Sequence, residues 1–197
     1  MAVIRAFLAL NLNYNAVQAV QHVLEPVMAR DFRDLRAIAS GNWHLTLHFF
    51  GDMPVEQVEA CAPVLAAVGV RHAPIEMQFD ALTLFPNLTR AQVLALLPTR
   101  NDALMKLEQD LRESLSEAGF NVERRRFKPH VSVARIKGSR MPEVEGLPVS
   151  VSVQARFAHM SLMQSELLES GARYTPLFTQ GLTQALSGAT TPGGQRD

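Results

Sequence analysis

The chain has 197 residues, enough for one substantial hydrophobic core or for two small lobes that share one. Lys and Arg (19) balance Asp and Glu (19), so no global charge draws the protein to nucleic acid or to an anionic membrane. The single cysteine, Cys61, excludes a disulfide framework and a thiolate metal cluster, and it fits a cytoplasmic protein.

The predicted elements begin with a buried strand over 3–10, which is too short to cross a bilayer and lacks the basic flank of a signal peptide. We therefore expect no membrane association. The remaining elements follow from apolar periodicity and turn residues. In the first half we predict a helix capped by Asn13 or Asn15 and ending near Met28, a loop over 31–42, a strand over 44–50, a helix over 55–68, and strands over 74–84 and 91–97. In the second half we predict a helix over 100–118 with Gly119 as its C′ residue, a strand over 130–135, one long or two short strands over 149–163, and a last short strand over 174–178.

Residues 44–50, with the sequence HLTLHFF, are predicted to form a strand that carries polar chemistry on one face. Strict alternation places His44, Thr46 and His48 on that face and apolar residues on the other. An imidazole and a hydroxyl two residues apart therefore point the same way.

The same pattern returns in the second half of the chain, where His130 and Ser132 stand in a predicted strand. A dense basic cluster, residues 124–128, directly precedes it, and this cluster is either a solvated loop or a contact for phosphate groups. His48 has no counterpart in the second half, because Ala134 stands there, so we interpret His48 as structural. The repeat predicts an α+β fold of two similar lobes, each presenting one motif strand.

Two imidazoles that converge on one site suit phosphodiester cleavage. Their ordinary pKa near 6.5 lets one accept a proton from the attacking oxygen while the other donates a proton to the leaving oxygen. Hydroxyl groups at Thr46 and Ser132 are suited to hydrogen-bond the non-bridging phosphate oxygens. This chemistry needs no metal, and the sequence contains no HExxH motif and no P-loop. His44 and His48 would lie about 13 Å apart on a strand, too far to share an ion.

The chain resembles the 2H phosphoesterases, specifically the RNA 2′,3′-cyclic phosphodiesterase group, also called 2′-5′ RNA ligases. Residues 42–52, NWHLTLHFFGD, are similar to the family segment N-x-H-x-T-L-x-F-L-G-x, and residues 126–135, RFKPHVSVAR, are similar to R-F-x-P-H-[VIL]-T-L-[AG]-R. The opening at 5–10 and the segment 165–174 also resemble family segments in the right order.

This resemblance implies a bilobed α+β fold in which two pseudo-duplicated antiparallel sheets, flanked by helices, border a central active-site cleft. It implies hydrolysis of 2′,3′-cyclic phosphate ends to 2′-phosphates without a cofactor, with His44 as proton donor and His130 as proton acceptor. Thr46 and Ser132 would hold phosphate oxygens, and Ser132 stands where the family usually has Thr. Arg135 matches the motif-end arginine, yet its odd spacing from His130 lets it reach the phosphate only if the strand bends.

Three functions stay open at this point. The first is cleavage of RNA 2′,3′-cyclic phosphate ends, reversible to 2′-5′ ligation. The second keeps the site but takes a small substrate, such as a cyclic nucleotide or an ADP-ribose cyclic phosphate. The neutral net charge makes it a competitor, because extended RNA binding normally leaves a larger basic surface. The third is a non-catalytic module that binds RNA ends, although arginine or lysine would serve that purpose better than histidine.

We expect a monomeric domain over 1–186 and a disordered tail over 187–197.

Overall fold

The computed structural model describes residues 2–29, 35–123, 125–137, 147–169 and 171–184, which form nine strands and three α-helices. The strands are β1 (Val3–Asn11), β2 (Leu35–Ala37), β3 (His44–Pro54), β4 (Ile75–Phe85), β5 (Val93–Pro98), β6 (Val131–Ile136), β7 (Val149–Phe157), β8 (His159–Leu168) and β9 (Gly171–Gly181). The helices are α1 (Tyr14–Met28), α2 (Val55–Gly69) and α3 (Asp102–Glu117). None of these helices is long and apolar enough to cross a membrane.

All strands belong to one antiparallel sheet with the order β7-β4-β5-β6-β3-β1-β8-β9, and the short β2 pairs with β6. The sheet consists of two halves of four strands that meet at β3 and β6, the strands that carry the two motifs. The predicted α+β fold with antiparallel strands is therefore confirmed, and its two sheets are continuous rather than separate. A single register pair, Leu45 with Val131, links β3 to β6 in the described part of the chain.

One hydrophobic core extends through both halves of the sheet and reaches all three helices. Helix α3 shows how the sequence builds it: four leucines at helical spacing are buried and form one face (Leu104, Leu107, Leu111 and Leu115). The side chain of Asn101 caps this helix by accepting from the backbone N–H of Leu104. Gly119 follows the helix with a φ of +83°, which confirms its predicted role at the C′ position.

The prediction of a loop over 31–42 was wrong for its second part, because β2 lies within it. Three residues are too few for a period-2 pattern to show, and β2 forms because its backbone pairs with β6. The last strand is also longer than predicted, since Gly171 and Pro176 in β9 read as strand breakers. At the edge of a sheet proline is tolerated. The predicted tail, 187–197, and the domain limit at 186 lie outside the described residues.

Candidate active site

The two motif strands bring their polar residues to one cavity of about 410 Å³ at the centre of the sheet. Because β3 and β6 are antiparallel and Leu45 pairs with Val131, His44 lies across from Ser132 and Thr46 lies across from His130. All five residues singled out in the sequence line this cavity: His44, Thr46, His130, Ser132 and Arg135.

The two histidines have the same local geometry. The Nδ1 of His44 lies 2.7 Å from the backbone carbonyl of Asn42, and the Nδ1 of His130 lies 2.9 Å from that of Lys128. A carbonyl oxygen can only accept, so each Nδ1 carries the hydrogen. Each neutral ring therefore keeps its lone pair on Nε2, the atom that remains for proton exchange with a ligand.

Burial lowers the pKa of both histidines from the ordinary value of 6.5, and the hydrogen bonds to Asn42 and Lys128 partly offset that effect. The positive charges of His130 and Arg135 lower the pKa of His44 further. A positive charge on one imidazole makes it harder to protonate the other, so the pair favours a state in which one ring is charged and the other is neutral. A pair in that state can act as acid and base at once.

A β-bulge in β3 decides which side chains after Thr46 face the cavity. Along β1, Leu8 pairs with His48 and Ala9 pairs with Thr46, so Leu47 is an extra residue that reverses the alternation. The prediction that His48 shares the face of His44 was therefore wrong. His48 is buried in the core, where its Nε2 lies 3.3 Å from the carbonyl oxygen of Asn121, which agrees with its interpretation as a structural residue.

A bulge of the same kind occurs in β6, and it explains how Arg135 reaches the cavity despite its odd spacing from His130. Leu94 of β5 pairs with Ala134 and Ala95 pairs with Ser132, so Val133 is the extra residue. The strand therefore bends where the sequence required it, and Arg135 faces the cavity on the side of Ser132. In the first half, Phe49 occupies the equivalent position and also lines the cavity.

Aromatic rings hold the two imidazoles in place. The His44 ring lies 4.7 Å from that of Phe7 and meets Tyr174 edge-on at 5.2 Å. The His130 ring stacks on Phe85 with a centroid distance of 3.9 Å. Each imidazole ring is therefore held by a different set of aromatic side chains.

The segment before β3 is also tied to the far side of the cavity. Asn42, whose carbonyl orients His44, donates from Nδ2 to the carbonyl of Ala172 at 2.8 Å. This hydrogen bond joins the start of the first motif to the hairpin of β8 and β9, which carries Tyr174. The position of His44 therefore depends on β1, through Phe7, and on the hairpin of β8 and β9.

Sequence reasoning assigned no site role to several residues that line the cavity. Arg5 and Phe49 form one side of it, and the Arg5 guanidinium lies 4.8 Å over the Phe49 ring. Phe7 and Tyr174 form another side, next to His44. Alternation along β1 places Arg5 and Phe7 on one face and could have identified them, whereas Phe49 depends on a bulge that alternation does not reveal.

The described residues contain no group of three His, Cys, Asp or Glu side chains arranged to hold a metal ion. The thiol of Cys61 is buried in α2, and burial raises its pKa to about 12. This cysteine is therefore inert as a nucleophile.

The fold and its paired motifs place the chain among the 2H phosphoesterases. Within that class, the model of the 2′-5′ RNA ligase superfamily matches residues 29–166. The chain belongs to this superfamily, and it is an enzyme.

Relatives and solved structures agree with this assignment. The RNA 2′,3′-cyclic phosphodiesterase of Methanothermobacter thermautotrophicus is 28% identical over 88% of this chain and 96% of its own length. That of Thermus thermophilus is 30% identical over 75% of this chain and 76% of its own length. The crystal structure of a Thermus thermophilus protein superposes with a TM-score of 0.76 at 27% identity, covering 92% of this chain and 99% of the other. The LigT protein of E. coli, crystallised with 3′-AMP, has the same fold, with a TM-score of 0.76 at 23% identity over 93% of this chain and 100% of its own.

Proposed function

We propose that the protein hydrolyses RNA 2′,3′-cyclic phosphate ends to 2′-phosphates with its two histidines as general acid and base. One observation supports this proposal: His44 and His130 line the same cavity, and each has its Nδ1 on a backbone carbonyl, so that Nε2 is the ring nitrogen that can exchange a proton with a ligand. Several relatives named RNA 2′,3′-cyclic phosphodiesterase support it, at 24% to 30% identity over most of the chain.

In the reaction, a water oxygen attacks phosphorus while Nε2 of His130 takes the proton from that water. The bond between phosphorus and O3′ breaks on the opposite side, and Nε2 of His44 gives its proton to O3′. The product carries a 2′-phosphate and a 3′-hydroxyl, and proton exchange with solvent restores both rings. The assignment of donor and acceptor follows the resemblance to the family.

The remaining polar groups of the cavity suit the charge that develops on the phosphate. Thr46 and Ser132 offer one hydroxyl donor from each motif, and Arg135 offers a permanent positive charge beside them. Donors that are already aimed at the phosphate oxygens need no reorganisation when negative charge builds up, so they lower the barrier.

A small cyclic phosphate remains a second candidate substrate. The cavity of about 410 Å³ is of the size that holds one small ligand, and the chain has no net charge. Turnover of a mononucleotide 2′,3′-cyclic phosphate and of a longer RNA, measured across a salt series, separates the two candidates. Rates that depend little on length or salt favour the small substrate.

The test of the catalytic roles uses a substrate with sulfur in place of O3′. A thiolate leaves without needing a proton, so this substrate bypasses the general acid. We expect it to restore most of the rate to His44→Ala and none to His130→Ala. Restoration in His130→Ala alone reverses the two roles, and restoration in neither variant removes the acid–base assignment.

We also propose that the protein acts as a cytoplasmic monomer whose domain covers residues 1–186. The single buried cysteine supports the reducing compartment, and one core shared by both halves of the sheet supports the single domain. Sedimentation of the purified chain tests the monomer.

A further inference from the structure

A smaller pocket lies beside the catalytic cavity, next to the short strand β2. It has a volume of about 190 Å³ and shares five lining residues with the cavity: Ile38, Asn42, Arg135, Ala172 and Tyr174. Its remaining residues belong to the β2 segment and to the start of β9. Whole small ligands usually occupy about 300 to 1,000 Å³. A pocket of this size therefore fits one chemical group rather than a whole nucleotide.

Two arginines line this pocket, and they stand directly opposite each other. Arg36 of β2 and Arg135 of β6 are register partners, so both side chains leave the sheet on the same face. Like charges in such positions repel and weaken the pairing of the two strands. None of the described residues that line the pocket is acidic. An anion bound between the two guanidinium groups would therefore turn an unfavourable contact into a favourable one.

Strand β2 is built so that Arg36 reaches this face. Leu35 is buried in the core, and alternation turns the next residue to the opposite side of the sheet. The backbone N–H of Ile38 donates to the carbonyl of Val133 at 2.9 Å, and Val133 is the extra residue of the bulge in β6. The bulge that turns Arg135 into the cavity therefore also anchors the strand that carries Arg36.

The hairpin of β8 and β9 closes the pocket without covering Arg36. Gly171 has a φ of +127°, and a Cβ built on it would lie 3.6 Å from a guanidinium nitrogen of Arg36. Glycine thus brings backbone, and no side chain, next to the guanidinium. Tyr174 lines both spaces and meets His44 edge-on at 5.2 Å, so the pocket is one side chain away from that imidazole.

We propose that this pocket binds a second phosphate group beside the phosphate that reacts. The proposal rests on the proposed function and makes Arg36 a residue that determines specificity. A guanidinium binds phosphate oxygens through two parallel N–H donors, and a terminal phosphate carries up to two negative charges near neutral pH. Two arginines on one face therefore match one phosphate in charge and in donors. The group comes either from the 5′ position of the nucleotide that carries the cyclic phosphate or from inorganic phosphate in solution.

The experiment compares the wild type with Arg36→Gln, which removes the charge, and with Arg36→Lys, which keeps it. Arg156→Gln is the matched control, since Arg156 is also an exposed arginine on a strand and lines neither space. Two substrates are used: adenosine 2′,3′-cyclic phosphate with a 5′-hydroxyl, and the same nucleotide with a 5′-phosphate. Hydrolysis of the first is also measured with added inorganic phosphate.

We expect the 5′-phosphate to lower the KM of the wild type about tenfold and to leave kcat unchanged, because the second phosphate does not react. Arg36→Gln should remove this advantage, and Arg36→Lys should retain only part of it, since lysine lacks the paired donors. The KM for the substrate with a 5′-hydroxyl should stay within about twofold in all variants. The control should match the wild type on both substrates.

Free phosphate is the occupant if the 5′-phosphate brings no advantage while inorganic phosphate alters hydrolysis by the wild type more than hydrolysis by Arg36→Gln. Two results would overturn the proposal. One is an Arg36→Gln variant that responds to both forms of phosphate as the wild type does. The other is an equal rise of KM for both substrates, which would place Arg36 at the reacting phosphate or at the nucleoside.

A wild type that hydrolyses neither substrate would instead contradict the proposed function. Calorimetric titration with inorganic phosphate then tests the pocket by itself. One bound phosphate fewer in Arg36→Gln than in the wild type supports the second site, and equal stoichiometry in the two proteins overturns it.

Discussion

Leu45 of β3 and Val131 of β6 face each other across the junction between the two halves of the sheet. The residues on either side of this pair are the catalytic candidates, so the junction sets His44 against Ser132 and Thr46 against His130. The Nδ1 hydrogen bonds, 2.7 Å to Asn42 and 2.9 Å to Lys128, repeat the same geometry on each side. The site is thus a pseudo-symmetric pair of half-sites brought together by one strand pairing.

Loss of a phosphate-binding hydroxyl should slow the chemistry more than it weakens substrate binding. We expect Thr46→Val and Ser132→Ala each to lower kcat by about 10²-fold, because each removes a donor aimed at developing charge. Ser132→Thr keeps the hydroxyl and restores the residue that is usual in related motifs, so its kcat should stay close to that of the wild type. Steady-state kinetics on a cyclic phosphate substrate measures both parameters. A change in KM alone for the first two variants would contradict a role in the transition state.

The pH dependence of kcat/KM should be bell-shaped with its maximum below pH 6.5. Burial lowers the pKa of His44 and of His130 from 6.5, and the active form holds one proton between the two rings. At higher pH the acid is lost, and at lower pH the base becomes protonated. Initial rates at low substrate concentration across the pH range test this. A maximum above about pH 8 would show that groups other than these imidazoles limit the reaction.

Stability should fall as pH drops below 6.5, because three histidines whose pKa is lowered in the folded state titrate there. Burial lowers the pKa of His44, His48 and His130 from 6.5, so the unfolded chain binds protons before the folded chain does. The folded state therefore keeps its full stability above pH 6.5 and loses stability as pH falls from 6.5 toward the folded pKa values, by at most about 1.4 kcal/mol per pH unit for each group. Urea unfolding about one unit above and below pH 6.5 measures the loss. His48→Gln should reduce the pH dependence by the share of one group, and an unchanged dependence would contradict the role of His48.

Metal removal should leave the enzyme active. The proton transfers use the two imidazoles, and the charge on the phosphate is met by hydroxyl groups and by Arg135. We expect full turnover after dialysis against a chelator, and no gain when magnesium or zinc is added back. Activity that disappears with the chelator and returns with one metal would place a cation in the reaction.

Much of the fold and of the site follows from local patterns in the sequence. The leucine stripe of α3 and the imidazole–hydroxyl pairs are visible because they depend on neighbouring residues. The bulges at Leu47 and Val133 are not visible, since they arise from pairing with β1 and β5. They turn Phe49 and Arg135 into the cavity and His48 into the core.

Patterns in the sequence also fail to reveal a groove of about 770 Å³ that lies beside the cavity and shares His130 with it. It joins the end of β4 to the segment before β6, and no pattern within either stretch shows that the two meet. The sequence reveals the basic cluster and leaves open whether it is solvated or contacts phosphate. Within the described residues, Arg125, Arg126 and Lys128 of that cluster line the groove, whereas Arg124 lies outside them.

The most direct test of the account is the loss of a 2′,3′-cyclic phosphate end, followed over time with purified protein. The wild type should convert it to a 2′-phosphate. His44→Ala and His130→Ala should each lower the rate about 10²- to 10⁴-fold while keeping the circular dichroism spectrum of the wild type. His22→Ala, an exposed histidine on α1, is the matched control and should keep full activity. Wild-type rates in either His44→Ala or His130→Ala would contradict catalysis by the paired histidines.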